Sequence, residues 1–194
     1  MSKKILIVLG HPDVTSFCAA LADAYEEGAK GAGHLVRRIS LGELRFDPVL
    51  HKGYAEIQPL EHDLLDAQEA IMRSDHLVFV YPVWWGGPPA LLKGFFDRMF
   101  LPGFAFRFRE GSSTSWERLL SKRTARLLVT MDTPPWYYRL VYRMPGHNQM
   151  KRTILEFCGI KPVSVSDFGP VKGSSLDKRS KWLEDARALG RDAR

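Results

Sequence analysis

The run Lys4-Ile5-Leu6-Ile7-Val8-Leu9 is continuously apolar after its first residue, rich in β-branched side chains, and stops at Gly10. That is the pattern of a strand buried on both faces of a parallel sheet, and such a strand needs helices on both sides. Residues 16–30 are rich in good helix formers with an apolar stripe, closed by Gly31-Ala32-Gly33. Residues 34–41 read as a second strand. Residues 42–59 are irregular, interrupted by Pro48, Gly53 and Pro59, and long enough to be functional. A helix over 60–73 leads to a third buried strand, 75–81, ended by Pro82. A helix follows over 88–100, with Pro88 and Pro89 tolerated in its first turn. Strands over 125–131 and 162–168 and helices over 150–158 and 176–189 complete the alternation. The expectation is α/β: one domain over residues 1–194, a doubly wound five-stranded parallel sheet with helices on both faces.

Composition agrees with one globular domain. The 194 residues are 45% hydrophobic and 26% charged, which excludes wholesale disorder and a disulfide scaffold. No apolar run approaches the roughly 18 residues that cross a bilayer, and the opening apolar stretch is too short for a signal peptide, so a cytoplasmic protein is expected. Cys18 and Cys158 lie far apart with no C-x-x-C and no nearby histidine ligand spacing. Neither a redox pair nor a metal site is encoded locally, and both thiols are expected buried and reduced. The net charge of +6 favours anionic ligands.

In such sheets ligands bind beyond the carboxyl ends of the strands, where strand order reverses. The first loop, Gly10-His11-Pro12-Asp13-Val14-Thr15-Ser16-Phe17, places two hydroxyls at a helix start whose free amides favour an anion. Taken alone, Thr15 or Ser16 reads first as a simple helix cap, and His11 beside them adds a donor or positive charge to the same anion pocket. The loop after the third strand, Pro82-Val83-Trp84-Trp85-Gly86-Gly87, offers flat stacking surface and approachable backbone, or else two tryptophans buried beneath the neighbouring helix or in an interface. The loop after the fourth strand, Thr130-Met131-Asp132-Thr133-Pro134-Pro135-Trp136-Tyr137-Tyr138, again mixes polar and aromatic groups. Together the three loops suit a phosphate joined to a planar heterocycle. Neither G-x-G-x-x-G after the first strand nor a Walker loop occurs, which disfavours a nucleoside triphosphatase.

His11-Pro12 with Thr15-Ser16-Phe17, the long stretch from Tyr81 through Phe100, Gly103-Phe104-Ala105-Phe106 and Phe157-Cys158-Gly159 resemble the flavodoxin-like NAD(P)H:quinone oxidoreductase family. The resemblance covers most of the chain. It implies a flavodoxin-like sheet and a bound flavin, FMN in preference to FAD. His11, Thr15, Ser16 and Phe17 would take the phosphate side. Pro82, Val83, Trp84, Trp85 and Gly86 would line the ring, with Thr130 and Asp132 at the third loop. It further implies NADH or NADPH as reductant, a quinone, azo or nitro compound as acceptor, and a homodimer with the acceptor site shared between subunits. The aromatic and basic stretch from Trp136 to Pro145 suits the wall of such a shared site, or else a partly buried surface helix. The third loop departs from the family, because Met131-Asp132-Thr133-Pro134-Pro135 replaces adjacent glycines and the nearest histidine, His147, lies further along. Tyr137 or Tyr138 is therefore expected as the hydrogen-bond donor facing the acceptor. Asp132 is expected to turn off the flavin, capping the turn at Thr133 or pairing with Arg139 or Arg143. The other reading of the resemblance is non-enzymatic: a flavodoxin-like carrier, which the basic charge argues against, or an ancillary subunit of a potassium-efflux system. Arg139, Arg143, Lys151 and Arg152 lie close together among aromatics and raise contact with nucleic acid or an anionic membrane surface, but neither a nucleic-acid-binding fold nor a basic amphipathic anchor accompanies them. Attraction of a phosphorylated nicotinamide cofactor accounts for the charge more economically, and no nucleic-acid partner is expected.

Overall fold

The computed structural model describes residues 2–112 and 114–193. In chain order it comprises β1 (Lys4–Leu9), α1 (Phe17–Gly31), β2 (Leu35–Ser40), α2 (His62–Met72), β3 (His76–Pro82), α3 (Ala90–Met99), β4 (Phe106–Phe108), β5 (Trp116–Arg118), β6 (Thr124–Thr130), α4 (Pro135–Leu140), α5 (Pro145–Asn148), a π-helical segment (Gln149–Glu156), β7 (Val163–Phe168) and α6 (Leu176–Asp192). The five strands expected from sequence form one parallel sheet in the order β2-β1-β3-β6-β7. Strand order reverses at β1, so the carboxyl ends of β1 and β3 lie side by side.

The unbroken apolar run of β1 is explained by two cores. Leu6 and Val8 join Leu77, Phe79, Leu127, Val129 and the α2 and α3 residues on one face. Ile5, Ile7 and Leu9 join Val78, Val80, Leu128 and the α1 residues on the other. A side chain pointing either way from β1 therefore leaves water, and alternation disappears. The α1–α6 contact requires missing side chains: a Cβ on Gly28 would lie 1.9 Å from the Arg187 carbonyl oxygen. A Cβ on Gly190 would lie 2.0 Å from that of Tyr25.

The irregular stretch after β2, which opens with a 3₁₀ turn at Leu41–Glu43, is held down by Arg98 of α3. The fully buried guanidinium donates to the Asp47 carbonyl, to the Pro59 carbonyl at 2.8 Å and to both Glu61 carboxylate oxygens at 2.9 and 3.1 Å. Partial burial raises the Glu61 pKa, but hydrogen bonds from Arg98 and the Asp47 N–H outweigh it and hold the carboxyl below its ordinary value.

Three features differ from the sequence expectation. The β4–β5 antiparallel hairpin is unexpected, and α4 stands as a short extra helix outside the strand–helix alternation. The helix expected over 150–158 is a π-helical continuation of α5. β1 keeps its expected bounds, and those of the remaining elements shift by at most three residues, which is the usual fraying of element ends.

Candidate functional site

The carboxyl ends of β1, β3 and β6 converge on a cavity of about 260 Å³ lined by His11, Ser16, Phe17, Cys18, Pro82, Val83, Trp84, Thr130, Met131, Asp132, Thr133 and Val171. A second cavity of about 510 Å³ shares Val83 and Thr133 with it and adds Trp85, Gly86, Tyr138, Tyr142 and Pro145. The two form one trough running from the start of α1 to α4.

At the α1 end, His11 Nδ1 accepts the Asp13 N–H at 2.9 Å. In the neutral ring Nε2 therefore carries the proton and is a donor. Ser16 caps α1, its Oγ accepting the Ala19 N–H at 3.3 Å, and its own proton remains for a ligand. Thr15 differs from expectation. Its N–H and hydroxyl both donate to the Asp13 carboxylate, at 2.7 and 2.8 Å, and the side chain is not among those walling the trough. Those two bonds hold the Asp13 carboxyl below its ordinary pKa, so an acid three positions before the helix cap Ser16 consumes the donors expected for phosphate. On the floor, the Cys18 thiol lies 3.2 Å from Thr130 Oγ1. Burial pushes the thiol up to about 11 despite that contact, keeping it protonated at neutral pH.

The middle wall is a two-residue turn. Trp84 N–H donates to the Gly87 carbonyl and Gly87 N–H to that of Trp84, at 2.9 and 3.0 Å, with Trp85 at φ 50° and Gly86 at φ 82°. Paired positive φ values define a tight turn of the type I′ kind, in which a tryptophan is strained by about 1–2 kcal/mol. The Val83 N–H is likewise engaged, by the Thr130 carbonyl at 2.7 Å. Among the described residues the N–H groups of Trp85 and Gly86 make no hydrogen bond and are the free donors of this loop, whereas that of Trp84 is committed. The Trp85 side chain is fully exposed, at 107%. Packing beneath the next helix is thereby removed as an explanation for it. Trp84 is half exposed and meets the His11 ring edge-on at 5.5 Å between centroids.

Beneath the turn lies a polar knot. Tyr138 is buried, and its hydroxyl donates to the Gly86 carbonyl and accepts the Gly146 N–H, both at 2.9 Å. The Gly146 N–H also reaches the Gly86 carbonyl at 2.9 Å. Burial raises the Tyr138 pKa, against backbone N–H groups of Gly146 and His147 that lower it. Both bonds of the hydroxyl go to backbone groups and pin the turn, while the residue also lines the cavity. Tyr137 packs edge-on against Trp136 and Tyr142 outside the trough. His147, which sequence spacing placed too far along, is brought back against Tyr138 at 5.0 Å between centroids, with Nε2 2.7 Å from Asp167 Oδ1 and Nδ1 buried without a partner.

Asp132 accepts the Lys172 N–H at 2.7 Å. Its expected partners, the Thr133 turn, Arg139 and Arg143, are replaced by the loop after β7, while its exposed side chain still edges the trough. That loop was missed by sequence reasoning. Val171, whose N–H donates to the Met131 carbonyl at 3.1 Å, enters the site only because β7 pairs with β6, a neighbour relation no local signal carries. Met131 and Thr133 belong to a loop already singled out but were assigned no role. Among the described residues no cluster of His, Cys, Asp and Glu suits a metal ion.

A larger cavity of about 570 Å³ lies elsewhere, between α3, the β4–β5 hairpin and the π-helical segment, walled mainly by Phe96, Phe100, Phe106, Phe108 and Phe157. It lacks the strand-end loops and the free backbone donors of the trough.

Comparison with known proteins points the same way. An uncharacterized NAD(P)H oxidoreductase of Haemophilus influenzae is 30% identical over 173 residues, 86% of this chain and 83% of that protein. NAD(P)H dehydrogenase [quinone] 1 of Rattus norvegicus is 29% identical, over 94% of this chain and 74% of that one. The solved NAD(P)H:quinone oxidoreductase of Methanothermobacter marburgensis superimposes with a TM-score of 0.83 at 26% identity, covering 100% of both chains. Over residues 3–189 the chain matches the family described as Flavodoxin-like fold, and it belongs to that family.

Proposed function

We propose that this protein is a flavin-dependent NAD(P)H oxidoreductase that reduces quinones, or kindred azo and nitro compounds, by two-electron transfer in alternating half-reactions. The observation that carries the reading is the trough itself: a strand-end cavity with Ser16 and His11 donors at one end and free Trp85 and Gly86 N–H groups beside exposed indoles in the middle. That donor set fits a phosphate joined to a planar, electron-accepting ring. Relatives named as NAD(P)H oxidoreductases and quinone dehydrogenases support the same assignment.

Bound flavin would supply the hydride chemistry, accepting from NADH or NADPH and passing two electrons to the acceptor. The chain's own contribution is placement. His11, Ser16 and Phe17 hold the phosphate end, and Pro82, Val83, Trp84 and Thr130 form the floor and wall. The free Trp85 and Gly86 N–H groups would act as fixed dipoles toward negative charge that collects on the ring. Tyr138 keeps those dipoles in place through the Gly86 carbonyl. Asp132 is kept at the rim by Lys172.

We assign FMN as the flavin, because the first loop accounts for one phosphate. The chain has no helix among the described residues long and apolar enough to cross a membrane, and we place it in the cytoplasm. A homodimer accords with the phenylalanine-walled groove at α3 and the hairpin, where Tyr54 and Phe108 are exposed. Purified protein should carry flavin, release FMN on denaturation, and oxidise NADH or NADPH with a water-soluble quinone without any partner. Protein that neither carries nor takes up flavin removes the assignment, and FAD as sole released species corrects the cofactor. Equilibrium sedimentation at the monomer mass removes the dimer.

A further inference from the structure

The segment from Trp136 to Arg152 carries features that, Tyr142 apart, the trough does not use. Trp136, Leu140, Val141 and Tyr142 are exposed large hydrophobics, the first two at 63% and 70%. Such residues scattered singly mean little, but here they are contiguous on one short helix and the turn that follows it. Pro135, Trp136, Arg139 and Leu140 wall a single shallow surface depression, which shows that they share a face. Arg139 and Arg143 are exposed beside them, with Lys151 and Arg152 following. No carboxylate occurs between Asp132 and Glu156. Among the described residues none of the four cations pairs with an acid.

This is an apolar patch rimmed by unneutralised positive charge. Trp and Tyr suit the headgroup layer, Leu and Val suit acyl chains, and arginines reach anionic headgroups while their stems lie along apolar surface. Single-stranded nucleic acid would use the aromatic and basic groups but not the exposed aliphatic pair. A second copy of this chain would bring the same four cations against themselves under two-fold symmetry.

The patch also adjoins the trough. Tyr142 belongs to both, and Trp85 stands at the same cavity. We propose that the α4 face docks this protein peripherally on an anionic lipid bilayer, so that the cavity between Trp85 and Tyr142 opens toward quinones dissolved in the membrane. The substrate part rests on the quinone-reductase reading above, and the docking part does not. The chemistry balances with the reductant already named: NAD(P)H gives a hydride and leaves as NAD(P)+, the hydride and one solvent proton end on the quinone, and the quinone leaves as hydroquinone.

The test sediments the full chain with vesicles of phosphatidylcholine alone and of phosphatidylcholine mixed with phosphatidylglycerol. Binding is expected only to the anionic vesicles and should weaken with salt. Arg139→Gln and Arg143→Gln should each lower partitioning about fivefold, the equivalent of about 1 kcal/mol per cation at the surface. Leu140→Ser should lower it at unchanged charge. Arg139→Gln should also slow reduction of a long-chain quinone embedded in the anionic vesicles while leaving the rate with a water-soluble quinone intact. Equal partitioning to both vesicle types, no pelleting, or partitioning unaltered by the three variants overturns the proposal. So does tighter binding to a single-stranded oligonucleotide than to anionic vesicles, or a lipid-free dimer that Leu140→Ser dissociates. Vesicle binding without reduction of any quinone keeps the docking and removes the reductase reading, whereas soluble-quinone reduction without vesicle binding removes the docking alone.

Discussion

Replacing Tyr138 with Phe separates a pin from a proton donor. The hydroxyl makes two hydrogen bonds of 2.9 Å, donating to Gly86 and accepting from Gly146. A neutral hydrogen bond contributes about 0.5–1.5 kcal/mol net, and a buried group left unpaired costs about 1–3 kcal/mol more. The second penalty does not arise here, because the Gly146 N–H and the Gly86 carbonyl remain bonded to each other at 2.9 Å. The ring is retained, so no sizeable cavity opens. The expected loss is therefore about 1–3 kcal/mol in urea unfolding, worth about 2–4 °C in melting temperature per kcal/mol for a domain of this size. The free dipoles of Trp85 and Gly86 then lose one of their anchors, so flavin affinity and the rate of NAD(P)H oxidation should fall together while the pH profile of kcat keeps its shape. Fluorescence titration with flavin and steady-state rates across pH measure both. Unchanged stability and flavin affinity, with acceptor reduction lost and its pH dependence altered, would show that the hydroxyl delivers a proton and would refute the pin.

Gly146→Ala attacks the same knot by intrusion: its Cβ would lie 2.8 Å from the Gly86 carbonyl oxygen and 2.9 Å from the Tyr138 hydroxyl. Overpacking of about 1–3 kcal/mol and weaker flavin binding are expected, and an unchanged urea midpoint contradicts the close approach. Trp85→Asn should relieve left-handed backbone strain and raise apoprotein stability by up to about 1 kcal/mol, since Asn tolerates that region and the fully exposed indole buries nothing. The same variant should weaken flavin retention, and unaltered retention removes Trp85 from the cofactor site. Burial, then the charges of Lys3, Arg126 and His34, lowers the pKa of His76 from 6.5 to about 3. The unfolded chain thus binds the extra proton first, and stability falls as pH drops below about 6.5, reaching its full loss only below about 3. From pH 7 to pH 5 this group accounts for about 2 kcal/mol, which His76→Asn should remove from the pH dependence of urea unfolding.

What could be read from the sequence follows from how locally each feature is determined. β1 and β3 announce themselves because both faces of each strand are buried, so every position is selected for apolarity. The start of α1 is equally plain, because Ser16 caps it with its own side chain. The three-residue strands β4 and β5 are too short for any period to show, and they are placed by Trp116, which donates to the Phe157 carbonyl at 3.0 Å and stacks on that ring. At Thr15 the residue type was right for an anion but the competitor was two positions away: Asp13 takes both donors, and no pattern of residue types ranks a carboxylate in the same loop against a ligand.

The third loop shows the limit most clearly. The nearest histidine, His147, lies further along the chain than the resemblance places one, nine positions after Tyr138. The intervening chain closes that separation by passing through Arg143 and Met144 at φ 58° and 53°, two successive non-glycine residues in the left-handed region. This reversal brings the Gly146 N–H onto the Tyr138 hydroxyl and the imidazole against the phenol ring. Arginine and methionine carry no turn signal, and each costs about 1–2 kcal/mol there. The strain is sustained by tertiary contacts: Met144 N–H on the Tyr138 carbonyl at 3.1 Å, Asn148 Nδ2 on the Arg143 carbonyl at 2.8 Å and His147 on Asp167 at 2.7 Å. The last of these comes from β7, the strand whose following loop also supplies Val171 and the Lys172 N–H to the rim. One edge strand thus fixes both the histidine behind the knot and the far wall of the trough, and it does so through sheet order, which is a property of the whole chain and of no segment in it.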